Sequence, residues 1–482
     1  MHNIEYAKPV AGKQRWQASS VQSVFSMTNN KPGPIAPQIH SVNPLIQSKN
    51  IILQQNEDCL SLNIYSPPNA NTLPVMVWIH GGGFQIGAGT LPEYNGVNLA
   101  QAGNVVVISI NYRLGCLGFL RLCDISEGAI PATGNEGLHD QITALKWIKQ
   151  HVHLFGGNKN NITLFGESAG AMSIGCLLAS PQAKPLFHKA ILQSGAGHTY
   201  CSIEKANLIA ADFLQCAQQL DYSLADFSTL GVEELMKIQA YFLAKPETYH
   251  KFGILPFTPV IDGELLPTAP HHGVANGCAK DKVIIVGTNT DEWAFFATML
   301  GQKIKSEELM KVSLTPLFDP HKTQDFISWA NIKVSQRGLA GSYQQIINEI
   351  YTGFWFTEPC HRLLQAQLNG GGQAYGYKLG RRSPIEKFGC THVADVGFVF
   401  NTTNKTFHGD APRVKNLVKE IQAYWSHFAH HGKPSYTENE WPSYDNNFTY
   451  KFFDHTKTHL AKHDVATIEI WSTVSNQKLA DF

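Results

Sequence analysis

The pentapeptide Gly166-Glu167-Ser168-Ala169-Gly170 stands between an apolar run that ends at residue 165 and a helix-forming run over 171–179. A Gly-x-Ser-x-Gly turn between a strand and a helix holds the serine in a strained backbone conformation and lifts its hydroxyl clear of the sheet. Ser168 is therefore a candidate nucleophile at a helix N-terminus, where partial positive charge favours an oxyanion. Five such letters also occur by chance in a glycine-rich chain, so the prediction needs a second motif.

The second motif is His80-Gly81-Gly82-Gly83-Phe84, which ends another apolar run. Consecutive glycines leave backbone N–H groups unobstructed and allow conformations closed to other residues. Alone, three glycines indicate only a tight turn between a strand and a loop. With the serine turn some eighty residues downstream, they predict an oxyanion hole made by the N–H groups of Gly82, Gly83 and Ala169.

The order of apolar segments predicts an α/β architecture. Short apolar runs alternate with segments of helical period, at 73–80, 105–110, 162–165, 190–193 and 283–287. Such runs indicate strands buried on both faces, so we expect a large, mostly parallel central sheet with helices on both sides. Residues 200–251 and 306–355 have a helical character and are interpreted as insertions that build a gorge wall. No repeat or linker divides the chain, so one domain over residues 1–482 is predicted.

Composition limits the partners. Thirty-eight basic residues balance thirty-eight acidic ones, so the basic stripe required by nucleic acid or an anionic membrane is not expected. A small-molecule substrate fits better, and the sequence does not predict the oligomeric state. No apolar run approaches the roughly 20 residues of a membrane span, and the first residues lack a basic and apolar leader.

The nine cysteines include no C-x-x-C pair. A reduced, cytoplasmic protein is therefore expected, unless a leader was removed ahead of residue 1. Neither a cofactor nor a metal ion is expected. His427, His430 and His431 have helical spacing, but Phe428 stands where an HExxH metal site needs glutamate, so a polar helix end is the preferred interpretation.

Further motifs in chain order make the sequence similar to the type-B carboxylesterase family, which includes cholinesterases and bacterial p-nitrobenzyl esterases. Besides the glycine and serine turns, they are Glu57-Asp58-Cys59-Leu60, Asn111-Tyr112-Arg113-Leu114-Gly115, Gly134-Asn135-Glu136-Gly137, Ala190-Ile191-Leu192-Gln193-Ser194-Gly195, Pro259-Val260-Ile261-Asp262-Gly263 and Gly287-Thr288-Asn289-Thr290-Asp291-Glu292. The resemblance covers nearly the whole chain. It implies the α/β-hydrolase fold and a serine esterase that passes through an acyl-enzyme.

The resemblance also selects residues that spacing alone leaves open. A serine nucleophile needs a base, and the base needs an orienting carboxylate, yet any of the 21 histidines could serve. Matching Thr391-His392 and the Phe398-Val399-Phe400 segment that follows to the family pattern selects His392. The family's acidic turn aligns with Asp291-Glu292-Trp293 and selects Glu292, with Asp291 expected to organise the loop. The order Ser168, Glu292, His392 is the one this fold uses.

Departures from the family bear on substrate and compartment. Residues 33–37 lack the cysteine that pairs with the equivalent of Cys59 in some members, so a free Cys59 thiol is expected. Gly253 and Leu255 align with the acyl-pocket phenylalanines of cholinesterases, and 46–55 contains no tryptophan to stack on a quaternary ammonium. Acetylcholine is therefore disfavoured and longer acyl chains are expected to fit. Phe84 and Glu167 complete the predicted substrate pocket.

Two other functions stay open at this point. One is a lipase-like esterase that acts at interfaces, which a mobile apolar lid would favour. The other is a non-catalytic binding or adhesion protein on the same fold, since fold does not dictate function. Relatives of that kind typically lose the serine, whereas Ser168, Glu292 and His392 are all present.

Overall fold

A computed structural model describes residues 2–25, 31–39, 53–435 and 440–480. Its centre is one ten-stranded sheet with the strand order β1-β2-β4-β3-β5-β6-β7-β8-β9-β10. The strands are β1 His2–Glu5, β2 Ser61–Tyr65, β3 Leu73–Ile79, β4 Val106–Ile110, β5 Gly157–Glu167, β6 Lys189–Gln193, β7 Val283–Asn289, β8 Gln373–Leu379, β9 Thr449–Phe453 and β10 Thr458–Lys462. Strands β3 to β9 are parallel, whereas β1, β2 and β10 pair antiparallel at the two edges.

The sheet is covered by helices on both sides, as predicted. In β3, Val75, Val77 and Ile79 point into one apolar cluster with α3 and α4, while Met76 and Trp78 point into a second with α16. Since successive strand residues face opposite sides, two buried faces require a continuous apolar run. The helices are α1 Val97–Gly103, α2 Gly115–Gly118, α3 Glu136–His151, α4 Ala169–Ala179, α5 Ile203–Gln218, α6 Val232–Ala244, α7 Pro246–Phe252, α8 Pro270–Ala275, α9 Trp293–Met299, α10 Glu307–Leu314, α11 Pro320–Gln336, α12 Tyr343–Thr352, α13 Glu358–Asn369, α14 Val396–Phe400, α15 Lys405–His408, α16 Pro412–His431, α17 Val465–Ser472 and α18 Asn476–Ala480.

The five predicted strands correspond to β3 to β7, and the two predicted helical insertions to α5–α7 and α10–α12. The largest difference is at β5, which begins at Gly157 rather than at residue 162. Its first five residues are mostly polar, so apolar patterning gives no signal there. Asn161 is nevertheless held in the sheet, because its side-chain oxygen accepts a hydrogen bond from Lys189 Nζ on β6.

None of the helices in the described ranges is both long and apolar enough to cross a membrane. We propose that the chain forms one domain over 1–482, since all ten named strands belong to a single sheet.

Candidate active site

Ser168 lies at the junction of β5 and α4 with φ 55° and ψ −127°. This is the strained strand-to-helix turn that the sequence predicts, because a non-glycine residue rarely adopts a positive φ. A Cβ on Gly170 would collide with the carbonyl oxygen of Ile79 on β3, so glycine is required there. The turn is fixed to the sheet by the Ser168 N–H, which donates to the Gln193 carbonyl at 2.9 Å.

Glu292 follows β7, and His392 lies in the loop after β8. His392 Nδ1 donates to Glu292 Oε2 at 2.7 Å. The other carboxylate oxygen, Oε1, accepts from Ser194 Oγ at 2.5 Å and from the Asn289 N–H at 2.6 Å. Glu292 is fully buried, and three donors converge on it, so the carboxylate has one allowed orientation.

The hydrogen on Nδ1 leaves a lone pair on His392 Nε2. Among the described residues, no group forms a hydrogen bond with Nε2. Its nearest charged neighbour is Glu167 Oε1 at 3.1 Å, and Glu167 immediately precedes Ser168. The nitrogen that is not bonded to Glu292 therefore lies beside the residue that immediately precedes Ser168.

Three buried carboxylates surround this imidazole. Burial by itself lowers the pKa of His392, but Glu167, Glu292 and Asp395 together raise it above its ordinary value. Burial raises the pKa of Glu167, and Asp395 and Glu292 raise it further. Asp395 Oδ2 is in turn held by Gln193 Nε2 at 2.9 Å and the Tyr377 hydroxyl at 2.6 Å.

Sequence reasoning gave no role to Ser194 or Asp395. Ser194 follows β6 directly, and ligand-contacting residues of parallel sheets collect at the carboxyl ends of strands. That position was the available signal. Asp291 plays the predicted loop role, because its carboxylate accepts from Arg337 Nη1 at 2.9 Å and from the Cys390 N–H at 2.8 Å.

The glycine turn lies against the serine. Gly82 and Gly83 have φ values of 110° and 62°, and a Cβ on Gly82 would collide with the carbonyl oxygen of Ile86. A Cβ on Gly81 would lie 3.0 Å from Ser168 Cβ, so the two turns are in direct proximity. Ala169 begins α4, and the first N–H groups of a helix have no partner within it.

The imidazole is enclosed by aromatic rings. The ring centroids of Phe295, Phe296 and Phe356 lie 6.1, 5.0 and 4.7 Å from that of His392. Phe356 is buried, whereas Phe295 and Phe296 are partly exposed. Of the three rings around the imidazole, Phe295 and Phe296 are therefore the two that are in part exposed to solvent.

The predicted pocket residues differ in how deeply they are buried and in whether they lie beside the glycine turn. Leu255 is partly buried, and its Cδ2 lies 3.0 Å from where a Cβ on Gly83 would stand. Gly253 ends α7 with φ 78°. Phe84 is completely buried and packs its ring 5.0 Å from that of Phe119. Of the tryptophan-free segment 46–55, residues 46–52 lie outside the described residues.

Two of the three α16 histidines lie within hydrogen-bond distance of backbone carbonyls. His427 Nδ1 lies 2.8 Å from the Lys433 carbonyl, and His430 Nε2 lies 3.0 Å from the Gly103 carbonyl. No group of three or more His, Cys, Asp or Glu side chains that could hold a metal ion occurs in the described part of the chain.

A mostly parallel sheet with a strained serine turn after β5, a buried glutamate after β7 and a histidine after β8 is the arrangement of an α/β hydrolase. The carboxylesterase family profile matches residues 2–469. The chain is 34% identical to the para-nitrobenzyl esterase of Bacillus subtilis over 454 residues, covering 92% of this chain and 88% of that protein. It is 28% identical to the acetylcholinesterase of Danio rerio, covering 92% and 79%.

Solved structures of esterases are similar to this chain over nearly its whole length. A thermophilic PNB esterase is 31% identical with a TM-score of 0.80, over 99% of this chain and 95% of that one. A Geobacillus stearothermophilus carboxylesterase is 29% identical with a TM-score of 0.81, over 97% and 95%. The protein belongs to the carboxylesterase family, and it is a carboxylic ester hydrolase with the α/β-hydrolase fold.

Proposed function

We propose that Ser168, His392 and Glu292 form the catalytic triad of this ester hydrolase. The observation that supports the assignment best is the state of the imidazole. Its Nδ1 is fixed by a buried carboxylate at 2.7 Å, while its Nε2 is buried, has no hydrogen-bond partner among the described residues and lies 3.1 Å from the carboxylate of Glu167, the residue before Ser168. Hydrogen bonds between base and nucleophile are often completed only when substrate is bound.

In the proposed reaction, His392 Nε2 takes the Ser168 hydroxyl proton as Oγ attacks the ester carbonyl carbon. The C=O electron pair moves to the carbonyl oxygen, which the N–H groups of Gly82, Gly83 and Ala169 stabilise. The resulting imidazolium gives its proton to the departing alcohol, which leaves an acyl-Ser168. Water then repeats the sequence and releases the carboxylic acid, with Glu292 stabilising the imidazolium in both halves.

The acyl side of the pocket is proposed to lie beside Leu255 and Gly253, with Phe84 and Glu167 as further contributors. Leu255 supports this assignment, because its side chain reaches the glycine turn at Gly83. Replacing Leu255 with phenylalanine should narrow the pocket. We expect kcat/KM for p-nitrophenyl octanoate to fall relative to that for the acetate ester, and an unchanged ratio contradicts the assignment.

The triad is tested by mass spectrometry after treatment with a fluorophosphonate probe. We expect one adduct, on Ser168, and none in a folded Ser168→Ala protein. Ser173→Ala is the matched control, because Ser173 is a buried serine on the same helix that accepts a hydrogen bond from Gln141. An adduct that persists in Ser168→Ala, or full p-nitrophenyl butyrate turnover by that variant, refutes the proposed nucleophile.

We also propose a reducing compartment such as the cytoplasm. All nine cysteines are free, and burial raises the pKa of the Cys59 thiol. Nine thiols titrating in denaturant without reductant are the expected result for protein purified from its native cell, and fewer would contradict the proposal.

A further inference from the structure

The residue that follows Glu292 is attached to helix α12. The Trp293 N–H donates to the hydroxyl of Thr352, the last residue of α12, at 3.1 Å. The Trp293 ring also stacks on the ring of Tyr351, with the two centroids 4.5 Å apart. Both Trp293 and Thr352 are buried, so these contacts fix the start of α9 against the end of α12.

The residue that precedes Glu292 is attached to the same helix through Arg337, which directly follows α11. Arg337 Nη1 donates to Asp291 Oδ1 at 2.9 Å and to the Thr290 carbonyl at 3.1 Å. Its Nη2 donates to Glu349 Oε2 of α12 at 2.7 Å. Burial by itself lowers the pKa of the Arg337 guanidinium, but Glu349 and Asp291 together raise it above its ordinary value. One cation therefore joins a carboxylate of α12 to the carboxylate beside Glu292.

Asp291 extends this attachment to the loop that carries His392. Its Oδ2 accepts from the Cys390 N–H at 2.8 Å, and its own N–H donates to the Cys390 carbonyl at 2.8 Å. Cys390 stands two residues before His392. A Cβ on Gly389 would lie 2.5 Å from Asp291 Oδ2, so the two loops are in close contact. Arg337 is thus connected through one carboxylate to both the acid turn and the histidine loop.

The contacts from the sheet do not by themselves set the distance between acid and base. Ser194 Oγ and the Asn289 N–H orient the Glu292 carboxylate, but His392 lies in a separate loop. The two loops are joined by the hydrogen bond from Asn289 Nδ2 to the Thr391 carbonyl at 3.0 Å and by the pairing of residues 291 and 390. Of these two links, the second is held by a cation from outside the sheet.

We propose that Arg337 is a positioning residue of this esterase, which acts through Asp291 to fix Glu292 against His392. The inference rests on the proposed function, because it takes these two residues as the acid and the base of the triad. The insertion that contains α11 and α12 then sets the geometry of the triad as well as forming a wall. Among the described residues, the Arg337 side chain forms hydrogen bonds only with residues 290, 291 and 349. Its loss should therefore affect turnover and not substrate binding.

Arg337→Met is the first test, because it removes the charge and keeps an unbranched side chain. The Arg337 side chain is 28% exposed, so methionine can take its place without overpacking. We expect kcat for p-nitrophenyl butyrate to fall by about 10–10²-fold, since displacements of about 1 Å around a catalytic group have costs of this size. KM should stay within about twofold of wild type, because uniform binding is not changed.

The pH profile is a second readout of the same variant. Burial lowers the pKa of His392, and three carboxylates, including Glu292, raise it. A weaker hydrogen bond to Glu292 should therefore move the acidic limb of kcat/KM to lower pH. The other two carboxylates are Glu167 and Asp395, which Arg337→Met leaves in place. A loss of stability alone would lower the melting temperature without moving this limb.

A double-mutant cycle tests whether Arg337 acts through Glu292. In a Glu292→Gln background the native hydrogen bond to the imidazole is already lost, so Arg337→Met should change kcat by less than about threefold. Glu349→Gln removes only the α12 partner of Arg337 and should give a smaller loss of kcat in the same direction. This milder variant also answers the question if Arg337→Met does not fold.

Arg362→Met is the matched control. Arg362 likewise joins a carboxylate to a distant segment, since its Nε donates to Glu358 Oε1 and its Nη2 to the Val474 carbonyl, both at 2.7 Å. It is half-buried, and none of its hydrogen bonds reaches the candidate site. We expect this variant to lower the melting temperature and to leave kcat and the acidic limb as in wild type.

The outcomes distinguish a failure of this inference from a failure of the proposed triad. Wild-type kcat in folded Arg337→Met and Glu349→Gln proteins, or equal fold losses in both backgrounds of the cycle, overturns the positioning role. An equal loss of kcat in the Arg362→Met control overturns it as well. Wild-type kcat in Glu292→Gln would contradict the triad itself, and the role of Arg337 would be refuted with it.

Discussion

Substituting Glu292 by glutamine should inactivate the enzyme through the tautomer of His392. Glu292 Oε1 accepts hydrogen bonds from both Ser194 Oγ and the Asn289 N–H, at 2.5 and 2.6 Å. The glutamine oxygen must therefore occupy that position, because an NH₂ group there would face two donors. Its NH₂ group is then placed opposite His392 Nδ1, where the native carboxylate accepts at 2.7 Å. The imidazole can satisfy this donor only by carrying its hydrogen on Nε2.

An imidazole with hydrogen on Nε2 cannot take the proton of Ser168. The corresponding acid-to-amide change in a serine protease triad lowers kcat about 10⁴-fold, or about 5 kcal/mol in activation free energy. We expect a similar loss in kcat for p-nitrophenyl butyrate and in the rate of fluorophosphonate labelling. Labelling is informative because it needs the activated serine but no deacylation.

A measurement of the melting temperature distinguishes the change of tautomer from misfolding of the variant. Glu136→Gln is the matched control, because Glu136 is also buried and accepts from the Thr133 N–H and hydroxyl, away from the imidazole. It should change the melting temperature and leave kcat within about twofold. A Glu292→Gln protein with kcat within tenfold of wild type, or with normal labelling, refutes the tautomer argument.

Three further predictions concern the turn, the imidazole and acid stability. Gly82→Ala should lower kcat by about 10²–10³-fold, because its Cβ collides with the Ile86 carbonyl and displaces an oxyanion donor; a wild-type kcat for p-nitrophenyl butyrate contradicts this. Glu167→Gln removes a carboxylate that raises the pKa of His392, so the acidic limb of the kcat/KM profile should move to lower pH, and a move to higher pH excludes the reasoning. Burial lowers the pKa of His361 to about 4, so only the unfolded chain takes up this proton as pH falls from 6.5 towards 4, and stability is lost across that window. His361→Phe should therefore reduce the loss in unfolding free energy between pH 7 and pH 5 by about 2 kcal/mol, measured by urea titration.

Apolar patterning predicts the central strands of the sheet, but it does not predict the edge strands. Strands β3 to β7 are buried on both faces and therefore read as apolar runs. Strand β10 pairs on only one side, at the end of the sheet, and its sequence Thr-His-Leu-Ala-Lys carries no comparable signal. The polar residues 158–161 of β5 lie in an irregularity between two positions paired with β3, Gly157 opposite Leu73 and Ile162 opposite Val75, and apolar patterning gives no signal for it.

In the candidate site too, some residues can be predicted from the local sequence and others cannot. Ser168 is apparent from its own neighbours, because a strained turn needs glycine on both sides. Glu292 and His392 have no local signature and were chosen by resemblance to a family, since their contact joins residues 100 positions apart. Asp395 and Ser194 act through hydrogen bonds that exist only once the strands are aligned. Their contributions are set by three-dimensional proximity, which neither composition nor spacing encodes.

The proposed triad comes from segments that follow β5, β7 and β8, and this distribution has a consequence for folding. Local helices form early, whereas contacts between residues far apart in sequence carry a loop-closure cost and form slowly. The contacts from Glu292 to Ser194 and to His392 span 98 and 100 residues. Esterase activity during refolding should therefore return after most of the helical circular dichroism signal. A chain released from the ribosome before β8 would contain the Ser168 turn but not His392. We therefore expect such a chain to have no esterase activity.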